Sequence, residues 1–198
     1  MSNLKDLILK NRSYRRFDET HAISREDLLE MIEAARLSAS GRNAQPLKYY
    51  LSYDPATNET IFPTLAWAGF LTDWPGPVPG ERPAGYIVQL HDTRISKKYY
   101  CDDGIAAQSI LLTATGKGLG GCIIASVQRE KLSGLLHLPP YLEIIQVIAL
   151  GKPAEKVVIE PMQKGNIKYW RDNQGVHHVP KRSLEELVIP GRDISFSG

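Results

Sequence analysis

The sequence predicts one domain that mixes helices and strands, and three observations point there. Apolar residues recur at helical spacing in some stretches, as at Leu28, Leu29, Ile32 and Ala35. Other stretches are short, β-favouring and closed by turn residues, as in residues 47–53 ahead of Asp54-Pro55. Finally, 198 residues suffice for a single core of ordinary size, and no internal repeat or low-complexity tract divides residues 1–198.

In chain order, Leu4, Leu7 and Ile8 mark a short amphipathic helix over residues 3–12, a charged start that does not read as a signal peptide. Ser24 caps a second helix and Asp27 sits favourably in its first turn, with Leu28, Leu29, Ile32 and Ala35 as the buried stripe. Residues 38–46 are too small and polar to continue it. A strand follows over residues 47–53, then a helix over 58–70 around Ile61, Leu65 and Trp67. Pro75, Pro77, Pro79 and Pro83 make residues 72–83 a stiff, extended loop of the kind that walls a site. Residues 86–90 form a strand. Asp102 or Asp103 caps a helix running to about Thr115, and residues 122–127 form the next strand. A short helix over 129–138 stops at Pro139-Pro140, and residues 143–150 make the most hydrophobic strand. From residue 152 the chain turns charged and irregular. This tail, 152–198, cannot bury itself alone and must wrap its own body or a neighbour's.

Charge excludes some functions. Lys and Arg number 24 against 22 Asp and Glu, so no global field favours nucleic acid or a membrane surface. No apolar run reaches transmembrane length. Cys101 and Cys122 lie among apolar or small residues without metal-ligand spacing, and read as buried free thiols in a reducing compartment. The expectation is a cytoplasmic protein.

Several motifs dissolve on inspection. Residues 116–121 contain a literal G-x-G-x-x-G, but the helix precedes it and the strand follows. That order is the reverse of a dinucleotide site, and a helix C-cap with a tight turn accounts for the glycines. His177-His178 sits in a loop without a second ligand pair. Asp102-Asp103 is explained by capping and the helix dipole. No G-x-S-x-G, Walker loop or HExxH is present. Two stretches carry more. Residues 10–17 place Arg12, Arg15, Arg16 and the Ser13 hydroxyl beside Tyr14 and Phe17, a concentrated donor set for an anion next to aromatic surface. In residues 38–46, small residues permit close backbone approach to a flat ligand, and Asn43 and Gln45 offer amides for a heteroaromatic edge.

Taken in order, residues 12–17, 38–46, 103–112, 118–122 and 180–186 resemble the nitroreductase family of flavoproteins. The resemblance implies an α+β fold, with a central, mostly antiparallel sheet flanked by helices and a C-terminal tail exchanged across a homodimer. It implies FMN in a groove between subunits and NAD(P)H as reductant. Arg12 and Ser13 would meet the phosphate, helped by Lys181 or Arg182, and Arg15 would face the pyrimidine edge near N1. Ser38, Ala39, Ser40 and Asn43 would come from the other subunit. Ile123, Ile124, Ala125 and Ser126 would lie along the isoalloxazine, with backbone N–H groups near N5. The implied reaction is ping-pong: hydride passes from NAD(P)H to N5, the nicotinamide leaves, and a small-molecule acceptor such as a nitro compound or quinone takes its place. No protein acid or base is required. The alternatives are a flavin enzyme of the same fold engaged in reductive dehalogenation or flavin breakdown, and a nucleic-acid-binding module using the basic run. This chain departs from the family pattern at Asn11 and Leu47, and it lacks the proline usually found shortly after the tail's basic pair.

Overall fold

The most apolar stretch of the chain becomes its central strand. In the computed structural model, which describes residues 3–189, β5 (Leu142–Pro153) pairs antiparallel with β3 (Gly85–Asp92) and with β4 (Gly120–Ile124). β1 (Phe17–Asp18) adds to the end of β5, and β2 (Leu47–Ser52) lies beyond β3, both antiparallel. Every residue of β3 is buried, because helices cover both faces of the sheet. The strand period of two divides the core. Ile87, Ile148 and Leu150 meet α2 (Arg25–Arg36) and α4 (Asp102–Gly116) through Leu28, Met31, Ala107 and Ile110. Tyr86, Val88, Val147 and Ala149 meet α3 (Pro55–Ile61), α5 (Arg129–Leu135) and Trp67. Inside this core Gln146 donates to Gln89 at 2.7 Å, and Gln89 donates to the Asp103 carbonyl at 3.2 Å, tying the sheet to the start of α4. The α+β layout is the one expected.

α1 (Leu4–Lys10) forms where its spacing places it but buries none of its residues; Leu4, Ile8 and Leu9 are exposed. α2 opens on a full capping box between Ser24 and Asp27. Its buried stripe is Leu28, Met31 and Ala35. Leu29 is exposed, because the helix meets the sheet along the i, i+3, i+7 line. The expected helix over 58–70 starts earlier and stops sooner: Asp54 accepts from Thr57 N–H at 2.8 Å, Pro55 takes the first turn, and beyond Ile61 only a 3-10 turn over Phe62–Thr64 continues it. Leu65 and Trp67 therefore lie in a loop. Residues 72–83 carry no helix or strand, as the prolines demand.

Asp102 is not a cap. Cys101 holds that position without a side-chain bond, while Asp102 is buried within the first turn. α4 ends at Gly116, and Gly118 at φ +76° turns the chain into β4, so the glycine corner is the helix-to-strand turn expected of it. Cys122 is buried but Cys101 is exposed, which corrects the expectation of two buried thiols.

The tail departs most from expectation. β6 (Val157–Pro161) runs parallel to β8 (His177–Lys181), β7 (Trp170–Arg171) pairs antiparallel with β8, and α6 (Leu184–Leu187) follows. His177 and His178 thus sit on a strand, not in a loop. Pairing between segments twenty residues apart leaves no local pattern to read. The last stretch of the expected exchanged tail, residues 190–198, lies outside the described residues.

Candidate functional site

Residues 12–16 cross the sheet end because the glycine corner makes room for them. Ser13 pairs with Gly121, and Tyr14 N–H donates to the Gly121 carbonyl at 3.0 Å. The Tyr14 ring covers Gly120 so closely that a Cβ there would stand 2.5 Å from it. From below, Glu155 accepts from the N–H groups of Arg15 (2.5 Å) and Arg16 (3.1 Å), while its other oxygen receives Arg171 at 2.8 Å. The Glu155 side chain is 1 % exposed, so three donors compensate a buried carboxylate.

This scaffold separates the three arginines. Arg16 turns away to an ion pair with Glu81 of the proline-rich loop, whose hydrogen bond holds the guanidinium's pKa above its ordinary value. It does not join the anion-binding set expected of residues 10–17. Arg12 and Arg15 do converge, with Ser13, Ile123 and Lys181, on a groove of about 300 Å³ also lined by Gln108, Tyr169 and His177. Arg12 donates to the Ile8 carbonyl at 2.6 Å, and its buried Nε has no partner among the described residues. Arg15 donates to the Ser13 carbonyl at 3.3 Å and reaches His177 Nε2 at 3.3 Å, its guanidinium 4.8 Å from the centre of the Tyr169 ring. Of the tail's basic pair, Lys181 faces this groove, whereas Arg182 reaches Glu186 at 3.2 Å.

Ile124, Ala125 and Ser126 line an adjoining hollow of about 160 Å³ that shares Arg15, Ile123 and Tyr169 with the groove. Exposed Ile123 stands on the ridge between the two, so the β4 end and the arginine segment form one continuous surface. Ser38, Ala39 and Ser40 are elsewhere, on a third groove with Tyr49, Asp102 and Ala106. Ser40 donates to Asp102 at 2.6 Å, Gly41 N–H to the same carboxylate at 2.7 Å, and Ser38 shares a proton with Ser109 at 2.7 Å. Asn43 accepts from the Gln45 side chain at 3.2 Å. Arg42, Asn43 and Gln45 all adopt φ between 51° and 56°, a left-handed run that the Asp102 anchor sustains. Within one chain this loop does not reach the arginine groove.

Electrostatics at the groove favour an electron-rich ligand. Burial, and then the Arg15 charge, push the His177 pKa down to about 4, so the ring is neutral. Burial raises the Cys122 thiol, leaving it protonated and unreactive behind the β4 end. The Arg12 and Arg15 guanidinium groups and the Lys181 ammonium lining the groove suit a ligand rich in acceptors, such as a phosphate or a flavin's pyrimidine edge. Among the described residues no cluster of His, Cys, Asp and Glu could hold a metal ion, and no helix is long and apolar enough to cross a membrane. Tyr169, His177 and Glu155 were not identified from sequence as site residues; they reach it only through the pairing of the tail strands.

Comparison with known proteins bears on the family and the fold. The family model described as "Nitroreductase family" matches residues 8–152. A protein of Archaeoglobus fulgidus, provisionally named an NADH dehydrogenase/NAD(P)H nitroreductase, is 27% identical over 164 residues, covering 79% of this chain and 88% of its own. A crystal structure from Bacteroides thetaiotaomicron with the same provisional name is 27% identical at a TM-score of 0.63, covering 84% of this chain and 95% of its own. An NADPH:FMN oxidoreductase of Vibrio harveyi, solved with NAD+, shares the fold at a TM-score of 0.66 and 21% identity, covering 99% of this chain and 80% of its own.

Proposed function

Since the chain belongs to the nitroreductase family, we propose that it is an FMN-dependent oxidoreductase that carries hydride from NAD(P)H to a small-molecule acceptor. The carrying observation is the meeting of Arg12, Ser13 and Arg15 from one end of the chain with Lys181 from the other, on one groove walled by Ile123. FMN held there would supply the hydride chemistry, and the order we propose is ping-pong between NAD(P)H and a nitro compound, a quinone or a similar acceptor.

The protein's part is to bind and to bias. Arg12, Ser13 and Lys181 hold the phosphate, with Arg12 already anchored to the Ile8 carbonyl. Arg15 sets a fixed positive charge at the pyrimidine edge, where negative charge accumulates on reduction, and a charge-assisted hydrogen bond there is worth roughly 1.5–3 kcal/mol. Ile123, Ile124, Ala125 and Ser126 would lie along the isoalloxazine, with backbone N–H groups near N5. Ser38, Ala39, Ser40 and Asn43 complete the site of a second copy, which is why their groove stands apart from the arginines. The uncovered face of α1, with Leu4, Ile8 and Leu9 exposed, supports the same homodimer.

An absorption spectrum of the purified protein tests this reading. The expected outcome is a flavin spectrum that bleaches when NADH or NADPH is added without oxygen. A protein that neither carries FMN nor takes it up on reconstitution would overturn it.

A further inference from the structure

The family match stops at residue 152, yet the groove is finished by residues beyond that point, among them Tyr169 and His177. We propose, on the flavin reading above, that His177 is a positioning residue: its Nε2 accepts from the Arg15 guanidinium and fixes where that charge meets the edge of the bound ring.

Arginine has a long side chain with several rotatable bonds, so placing its charge needs a partner. The usual partner is a carboxylate, and the chain supplies one directly beneath, but Glu155 takes the Arg15 backbone N–H and gives its second oxygen to Arg171. Among the described residues no carboxylate pairs with the Arg15 side chain. Its partners are all neutral: the Ser13 carbonyl at 3.3 Å, His177 at 3.3 Å, and the face of Tyr169 at 4.8 Å, which itself lies 5.1 Å from the His177 ring. Neutral acceptors orient a guanidinium without cancelling its charge. A carboxylate in the same place would repel the electron-rich edge that the charge is there to attract.

The ring chemistry agrees. Arginine cannot accept a hydrogen bond, so Nε2 must be the unprotonated nitrogen, and the proton resides on Nδ1. That Nδ1 is buried and has no partner among the described residues, while His177 itself is fully buried. The parallel pairing of Val157 with His177 and the hydrogen bond from His177 N–H to the Lys156 carbonyl at 2.8 Å hold the ring in place. The low pKa keeps it an acceptor across the physiological range.

Two measurements test this. The first uses flavin-free wild-type protein: nitrogen-15 shifts of the His177 ring should report the Nδ1-protonated tautomer, and Arg15→Met should abolish that preference. An Nε2-protonated ring in the wild type would overturn the proposal whether or not the protein binds flavin. The second compares variants loaded with FMN. Loss of one charge-assisted bond predicts that His177→Phe binds FMN about tenfold more weakly, with the flavin's midpoint potential shifted to more negative values. His177→Gln keeps an acceptor oxygen and should restore most of both. His177→Phe with wild-type affinity and potential would also overturn it. If the wild type itself takes no FMN, the flavin reading fails, and the tautomer measurement still decides the Arg15–His177 bond.

Discussion

The Ser40 hydroxyl donates to Asp102 at 2.6 Å, joining the left-handed loop to the first turn of α4. Asp102 is only 3 % exposed and also receives Gly41 N–H, so Asp102→Ala would leave two half-buried donors without their partner. We expect that change to destabilise the protein by about 1–3 kcal/mol, seen as a lower urea midpoint. If the loop is lent to a second copy, FMN affinity should fall in parallel. An unchanged midpoint would show that the anchor is dispensable.

Glu155→Ala should be the more damaging substitution. It strips the buried carboxylate from two backbone N–H groups and leaves Arg171 unpaired, a loss of about 3–5 kcal/mol for a broken buried pair. Arg15 would lose its backbone register, so flavin should be lost at denaturant concentrations below those that unfold the sheet. Coincident loss of flavin and of far-UV signal would argue that Glu155 supports only the fold.

The two adjacent histidines of β8 respond to pH with opposite signs. His178 lies between Glu160 (2.9 Å) and Asp172 (3.1 Å), stacked on Trp170, and those carboxylates raise its pKa. Its stabilisation is therefore complete below the ordinary histidine value near 6.5 and is lost as pH rises through the raised folded value. His177 is depressed to about 4, so the unfolded chain binds a proton that the folded one refuses. Stability falls as pH drops from 6.5 towards that value. Urea midpoints measured from about pH 5 to about pH 9 should pass through a maximum, and His178→Gln should remove the alkaline decline. An alkaline limb identical in that variant would assign the decline to other groups.

Leu4, Ile8 and Leu9 give α1 an apolar face that nothing among the described residues covers. Leu4→Glu with Ile8→Glu should therefore shift sedimentation towards monomer while leaving thermal stability of the monomer nearly unchanged, since surface substitutions typically cost within about 0.5 kcal/mol. Equal dimer content in the variant would place the two-copy contact on another face.

Local chemistry in the sequence was enough to determine α2 with its Ser24 cap, the turn after α4, and the strands β2 to β5, because capping, glycine conformation and apolar periodicity act between near neighbours. The same is true of the arginine segment as a place of interest, although not of which arginines remain available. Only the tertiary structure decided that Arg16 belongs to Glu81, that Asp102 is an anchor and not a cap, and that Lys181 and not Arg182 faces the groove. It alone brought His177 to Arg15 across 162 positions of chain. Such pairings are set by where the sheet carries each segment, and a hydrogen bond between distant residues leaves no periodic trace in either of them.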